Sequence, residues 1–153
     1  MAARLDYAKA APAAMRAMGG LETHLARCGI EPGLQDLVKL RASQLNGCAY
    51  CVDMHSLDAR ARGETEQRLF ALPVWRDTPF YTERERAALL WTEKLTLISL
   101  DQVPDFVYAQ VRPHFTDEEL ANLTLVIATI NAWNRFGISF RDEPGHYTPE
   151  HSE

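Results

Sequence analysis

The sequence has little of what marks binding to nucleic acid or a membrane. Lysine and arginine total 16 against 21 acidic residues, which gives a formal net charge of −5. Phosphate binding depends on clusters of lysine and arginine, and no basic stripe is present, so we expect no nucleic-acid partner. The longest strongly apolar run, Leu123 to Ile130, is too short to cross a bilayer, so we expect no membrane association.

Cysteine is scarce, and the N terminus lacks a secretory apolar stretch because charged residues and a proline interrupt it. These features predict a cytoplasmic protein. In a reducing compartment, three cysteines are not expected to form a structural framework. The close pair Cys48 and Cys51 therefore indicates a catalytic, redox-active or metal-binding site, whereas Cys28 is expected to be a small buried apolar side chain.

No stretch alternates apolar and polar residues over several positions, so a β-sheet is not supported. Apolar residues instead recur at helical spacing between Leu34 and Leu45, and the Asn46-Gly47 step closes that helix. A second helix is predicted from about Cys48 to Arg62. The fold prediction is an all-α helical bundle in one domain, residues 1–153.

Capping boxes mark the start of two further helices. Thr82 to Glu85 opens one that is predicted to reach about Ser99, and Thr116 to Glu119 opens a long apolar one that is predicted to reach about Phe136. Prolines and aromatic residues predict an ordered loop over 73–81. The polar tail after Arg141 is expected to be loosely constrained.

The chemistry concentrates in the segment NGCAYCVDMH, residues 46–55. Cys48, Cys51 and His55 stand at i, i+3 and i+7, within an arc of roughly 60° on one helix face. The positive end of the helix dipole favours a thiolate at Cys48, and His55 can accept the thiol proton. A thiolate attacks a peroxide or a disulfide, and a second thiol three residues away can resolve the product.

Two other interpretations of this motif remain open. Zinc needs four strong ligands, and Asp36 would have to join the two cysteines and His55, since the chain has no second CxxC. The cysteines can also be two buried structural thiols. A thioredoxin-like site is not predicted, because that site lies between a strand and a helix.

The stretch from Leu37 to Arg62, LVKLRASQLNGCAYCVDMHSLDARAR, resembles the carboxymuconolactone decarboxylase superfamily and, within it, the alkyl hydroperoxide reductase D-like branch. The segments RERAALLWTEKLT (84–96) and INAWNRFGI (130–138) are also similar to this branch. The resemblance implies an all-α fold, a homo-oligomer (trimer or hexamer), and peroxidase activity that requires an external thiol reductant.

The resemblance also implies residue roles. It gives the peroxidatic cysteine as Cys51, its partner as Cys48 and the active-site histidine as His55. The family's relay glutamate corresponds to Asp36, a carboxylate one methylene shorter. The family's decarboxylase branch does not use a CxxC pair, so lactone decarboxylation is not carried over.

The resulting hypothesis is a peroxidase that reduces hydrogen peroxide or an organic hydroperoxide and is recycled by a dithiol or lipoyl-type reductant. It requires no cofactor or metal. The alternatives are a disulfide reductase or redox sensor without peroxidase activity, and a metal-stabilised structural module.

Several other residues are weaker candidates for the site. Trp91 and Glu93 can line the pocket, but a core tryptophan and a solvated or salt-bridged acid are the expected roles. Asn131, Trp133 and Asn134 can reach the pocket from the last long helix, but hydrogen bonding between helices is the expected role of the two amides. Surface positions are expected for the remaining histidines, namely His24, His114, His146 and His151.

Overall fold

The computed structural model describes residues 2–149, and within this range the chain is all-helical, with no strand. The α-helices are α1 (Tyr7–Ala10), α2 (Pro12–Leu25), α3 (Pro32–Asn46), α4 (Ala49–Ala61), α5 (Glu66–Ala71), α6 (Glu83–Thr96), α7 (Ile98–Asp101), α8 (Asp105–Val111) and α9 (Asp117–Phe140). Two 3-10 helices cover Leu72–Asp77 and Arg112–His114. The predicted all-α fold is therefore confirmed.

Local sequence signals explain the helix boundaries next to the motif. Pro32 occupies the first turn of α3, where its missing N–H costs nothing. Gly47 ends α3 in the left-handed conformation (φ 71°), which glycine adopts without strain. Cys48 is then the N-cap of α4. The two helices consequently form a hairpin with the cysteines at its turn.

Helix α3 is the central element of the bundle, and it packs against α4, α6 and α9. One face buries Leu34 and Val38 in a cluster with residues of α6, α8 and α9, and another buries Leu37 and Leu40 with residues of α4 to α6. The motif on α4 thus packs against both α3 and α9.

Both predicted capping boxes are confirmed, at Thr82 and Thr116. Helix α6 ends at Thr96, about three residues before the predicted end, and α9 continues to Phe140, one turn beyond the predicted end. The predicted loop at 73–81 includes most of the first 3-10 helix. None of the helices in the described range is long and apolar enough to cross a membrane.

The prediction of a loosely constrained tail was wrong for residues 142–149, and residues 150–153 lie outside the described range. The Gly145 amide donates to Asp53 Oδ2 (2.7 Å), and the Tyr147 hydroxyl donates to Asp58 Oδ1 (2.7 Å), so the tail lies against α4. The Arg4 amide also donates to the carbonyl of Phe140 (2.8 Å), which brings the N-terminal segment to the end of α9. These hydrogen bonds join residues far apart in the sequence, so the polar composition of the tail gave no signal for them.

Candidate active site

Cys48 and Cys51 form a disulfide at the start of α4, with their Cα atoms 5.3 Å apart. Cys48 caps the helix: its Sγ accepts a hydrogen bond from the Cys51 amide at 3.4 Å. Both side chains are buried, but Cys51 lines a cavity of about 500 Å³ and Cys48 does not. A small molecule in that cavity therefore meets the sulfur of Cys51 first.

His55 lies one turn beyond Cys51 on α4, and it also lines the cavity. It is buried, and neither ring nitrogen has a hydrogen-bond partner in the described residues. An unpaired buried imidazole costs free energy, which a hydrogen bond to a ligand in the cavity would offset. The predicted grouping of Cys51 and His55 on one helix face is what the structure shows.

Asp58, which the sequence interpretation did not select, is the carboxylate beside His55. Its Oδ2 lies 3.7 Å from His55 Nδ1, and its Oδ1 accepts the hydrogen bond from Tyr147. Burial alone would raise the pKa of Asp58, but His55 and the Tyr147 hydrogen bond outweigh burial and lower it. The signal for Asp58 was present, since i and i+3 are neighbours on a helix.

Asp36 occupies a different environment from the one predicted for a relay residue. Both of its oxygens accept hydrogen bonds from Arg62 at 2.7 Å, and it lines a separate cavity of about 240 Å³. Burial raises the pKa of Asp36, although Arg62 opposes this shift. In residues 2–149 no hydrogen bond or ion pair joins Asp36 to His55, so its relay role stays a prediction.

The cavity next to Cys51 has a volume of about 500 Å³, which suits a small organic molecule. Four aromatic side chains contribute to its wall, from α1, α4, α9 and the tail: Tyr7, Tyr50, Trp133 and Tyr147. Glu22 also lines it and is held on both oxygens, by Lys39 Nζ at 3.0 Å and by Trp133 Nε1 at 3.1 Å. The wall thus combines aromatic side chains with charged groups that hydrogen bonds hold in place.

The terminal segments close one side of this cavity. The Tyr7 hydroxyl donates to Asp142 Oδ2 at 2.6 Å, which joins α1 to the tail. Burial and this hydrogen bond raise the pKa of Tyr7 above its ordinary value, and burial also raises the pKa of Tyr50. Both phenols are therefore neutral hydrogen-bonding groups at physiological pH.

Gly137 allows α9 to approach the disulfide closely. A Cβ at this position would lie 3.0 Å from Cys48 Sγ and 3.6 Å from Cys51 Sγ. Gly137 lies within α9 and has no positive φ that would require glycine. The close approach of the two sulfur atoms is therefore the reason that this position carries no side chain. The sequence interpretation missed Gly137 because nothing local distinguishes it.

The weaker candidates lie mainly outside the cavity. Glu93 accepts hydrogen bonds from Arg41 Nε and Trp75 Nε1, both at 2.9 Å, and pairs with Arg76, so it is the expected salt-bridged acid. Trp91 Nε1 donates to Thr124 at 3.0 Å instead of lining the cavity.

The amides of α9 bridge helices, as predicted. Asn46 Nδ2 donates to the side-chain oxygens of Asn131 and Asn134, which ties the end of α3 to α9. Asn134 Nδ2 donates to Ser43 Oγ at 3.0 Å. These bonds hold the turn that precedes the cysteines.

The remaining histidines and the third cysteine are peripheral. His24 and His146 are exposed as predicted, His114 is half-buried, and His151 lies outside the described residues. Cys28 is only half-buried, against an expectation of full burial, and packs beside the core. Across residues 2–149 no group of three or more potential ligands converges as a metal site would require.

The model of the carboxymuconolactone decarboxylase family matches residues 10–94, which include α3 and α4 with both cysteines and His55. The chain belongs to this family. It is 43% identical over 139 residues to YdfG, an uncharacterised Bacillus subtilis (strain 168) protein, covering 91% of this chain and 95% of YdfG.

Solved structures of the family place the chain in its alkyl hydroperoxide reductase D-like branch. An Agrobacterium tumefaciens protein of unknown function, provisionally assigned to the antioxidant defence protein AhpD, is 42% identical, with a TM-score of 0.91 and coverage of 95% and 100%. The debrominase Bmp8 is 21% identical, with a TM-score of 0.76 and coverage of 88% and 73%. That likeness shows the fold alone, and a shared fold does not establish a shared reaction.

Proposed function

We propose that this protein is a thiol-dependent peroxidase that reduces hydrogen peroxide or organic hydroperoxides through Cys51, Cys48 and His55. The observation that carries the proposal is the placement of Cys51, which lines the aromatic cavity beside His55 and is disulfide-bonded to Cys48 behind it. A peroxidatic thiol needs access, a nearby proton carrier and a resolving partner, and the three residues supply these.

In the oxidative half of the cycle, the Cys51 thiolate attacks the terminal oxygen of the hydroperoxide. A sulfur–oxygen bond forms and the O–O bond breaks, and the departing alkoxide takes a proton from His55 and leaves as an alcohol. The Cys48 thiolate then attacks the Cys51 sulfenic acid. The disulfide forms as the S–O bond breaks, and the departing hydroxide takes the proton that the Cys48 thiol gave to His55 and leaves as water.

In the reductive half, a thiolate of an external dithiol or lipoyl-type reductant attacks Cys51 Sγ, the sulfur that lines the cavity. Cys48 leaves as a thiolate, which the helix N-terminus and the Cys51 amide stabilise. The second thiol of the reductant then displaces Cys51, and the reductant departs oxidised. A cytoplasmic location, where such dithiols are kept reduced, fits this cycle.

Oligomerisation as a trimer or hexamer is part of the proposal. Exposed apolar side chains concentrate in residues 97–108, among them Leu100, Phe106 and Tyr108. Exposed apolar groups of this density mark interaction surfaces. Light scattering at micromolar concentration is expected to show an oligomer, and Phe106→Asp is expected to dissociate it. A monomeric wild-type protein would contradict this part.

Thiol counting with a turnover assay tests the activity. The reduced protein should lose two thiols together on adding one equivalent of hydrogen peroxide or cumene hydroperoxide, and a dithiol such as dihydrolipoamide should sustain turnover. Rapid dithiol exchange without hydroperoxide consumption would instead indicate a disulfide reductase. Release of zinc on oxidation would indicate the structural module.

A further inference from the structure

Asp58 is placed to control His55 from the same helix. Its Oδ2 lies 3.7 Å from His55 Nδ1, which is longer than a hydrogen bond but within the range of an ion pair. Catalytic hydrogen bonds are often this long when no substrate is bound. Asp58 is therefore in reach of Nδ1, whereas the His55 ring has no other hydrogen-bond partner in residues 2–149.

Tyr147 fixes the other side of the same carboxylate. Its hydroxyl donates to Asp58 Oδ1 at 2.7 Å, from a tail that is also bonded to α4 through Gly145 and Asp53. With Oδ1 occupied, Oδ2 is the oxygen that faces the imidazole. A carboxylate oriented in this way selects one histidine tautomer and stabilises the ring when it becomes charged.

Building on the proposed peroxidase cycle, we propose that Asp58, oriented by Tyr147, is the positioning residue that keeps the His55 proton on Nδ1. Nε2 is then the nitrogen that exchanges protons with Cys51 and the hydroperoxide. The negative charge favours the imidazolium, and the imidazolium favours the Cys51 thiolate.

Asp36, the residue selected from the sequence, is engaged elsewhere, because Arg62 binds both of its oxygens. The lowered pKa of Asp58 means that its carboxylate is charged at neutral pH, as the positioning role requires. Other charged or titratable groups around His55 come from α1 to α4, the end of α4 and the tail: Tyr7, Glu22, Asp36, Lys39, Tyr50, Arg62 and Asp142. None of these residues is substituted in the Asp58, Tyr147 and Asp53 variants that test the positioning role.

The test measures alkylation of Cys51 by iodoacetamide against pH in reduced protein. All variants carry Cys48→Ser, and peptide mass analysis separates Cys51 from Cys28. Asp58→Asn is expected to slow alkylation at neutral pH by about three- to tenfold and to move the curve to higher pH. Asp58→Glu should restore part of the rate, and Tyr147→Phe should cause a smaller shift in the same direction.

Asp53→Asn is the matched control. Asp53 is also a half-buried carboxylate of α4 that binds the tail, but it lies two residues from His55 and so on a different helix face. Asp53→Asn should leave the Cys51 alkylation curve unchanged. The ¹⁵N NMR shifts of the His55 ring should show Nδ1 protonated in the parent protein, which carries Cys48→Ser alone, and a mixture of tautomers in Asp58→Asn. A merely structural role of Asp58 would not change the tautomer.

Coincident alkylation curves for the parent, Asp58→Asn and Tyr147→Phe would overturn the positioning role. An equal shift in Asp53→Asn would also overturn it, because tail docking alone would then explain the effect. The assay contains no peroxide, so its outcome is independent of peroxidase activity. If the alkylation curve of Asp58→Asn differed from that of the parent but the wild-type protein consumed no hydroperoxide, the proposed peroxidase function would be refuted and the positioning role would stand.

Discussion

Arg62 binds both carboxylate oxygens of Asp36, each at 2.7 Å, and so joins the end of α4 to α3. The carboxylate is buried while the guanidinium is partly exposed. One guanidinium nitrogen, Arg62 Nη1, makes both contacts, and an Asp36 oxygen that turned toward His55 would have to leave it. The sequence-derived relay role and the observed contact therefore make different predictions.

We expect Asp36→Asn to lower the free energy of unfolding by about 1–3 kcal/mol, because it leaves Arg62 without its charged partner. It should shift the Cys51 alkylation curve less than Asp58→Asn does. Arg62→Gln is the matched variant, since it breaks the same pair but keeps the carboxylate. The relay role of Asp36 would be supported if Asp36→Asn shifted the Cys51 alkylation curve more than Asp58→Asn does and Arg62→Gln did not shift it.

The two cysteines should differ in peroxide chemistry. Cys51→Ser should abolish turnover, whereas Cys48→Ser should consume one equivalent of hydroperoxide and stop at a sulfenic acid on Cys51. Trapping with dimedone followed by peptide mass analysis identifies the oxidised residue. If the sulfenic acid formed on Cys48 in Cys51→Ser at the wild-type rate, the roles would be reversed.

The reductant should attack Cys51 in the disulfide. Oxidised protein treated briefly with a monothiol and then with N-ethylmaleimide should carry the monothiol on Cys51 and the maleimide on Cys48. The reason is that Cys51 lines the cavity and Cys48 lies behind it. Peptide mass analysis reads both labels in one experiment. The opposite labelling pattern would show that the reductant reaches the disulfide by another route.

Gly137 should resist replacement by alanine. Alanine favours a helix by about 1 kcal/mol over glycine, but the new Cβ would crowd Cys48 Sγ at 3.0 Å, and such overpacking costs about 1–3 kcal/mol. We expect a net loss of about 1 kcal/mol in urea unfolding of the oxidised protein.

Gly20→Ala is the control for Gly137→Ala, because Gly20 lies within α2 and its new Cβ would meet nothing within 4 Å. It should raise stability by about 0.5–1 kcal/mol. Equal stabilisation in both variants would show that α9 does not pack on the disulfide as described.

Glu93 should make stability depend on acid pH. Burial alone would raise its pKa, but hydrogen bonds from Trp75, Arg76 and Arg41 outweigh burial and lower it. A lowered pKa in the folded state stabilises the protein above the ordinary glutamate value of 4.5, and this contribution is lost as the pH falls through the lowered pKa.

Glu93→Gln should therefore lower the free energy of unfolding by about 3 kcal/mol at neutral pH, because it leaves two buried donors short of a charged acceptor. The difference in the free energy of unfolding between this variant and the wild type should become smaller as the pH falls below 4.5. The exposed Glu83, on the same helix, supplies the control variant Glu83→Gln, which should have little effect. A constant difference at every pH would contradict this account.

The sequence by itself determined the helices around the motif, and with them the line of Cys48, Cys51 and His55. These features depend on residues within about two helical turns of each other: capping boxes, a glycine stop and the i, i+3, i+7 spacing. Asp58 belongs to the same local set and was readable three positions after His55. Its partner Tyr147, 89 residues further along the chain, was not.

Only the tertiary structure decided which sulfur lines the cavity, which carboxylate stands beside His55, and where α9 touches the disulfide. Each of these depends on the relative position of elements far apart in the chain, such as Gly137 against Cys48 or Tyr7 against Asp142. Helix periodicity gives the face that a residue occupies, but packing between helices sets the separation and rotation that bring two faces into contact. The pairing of Asp36 with Arg62 instead of His55 follows from that packing.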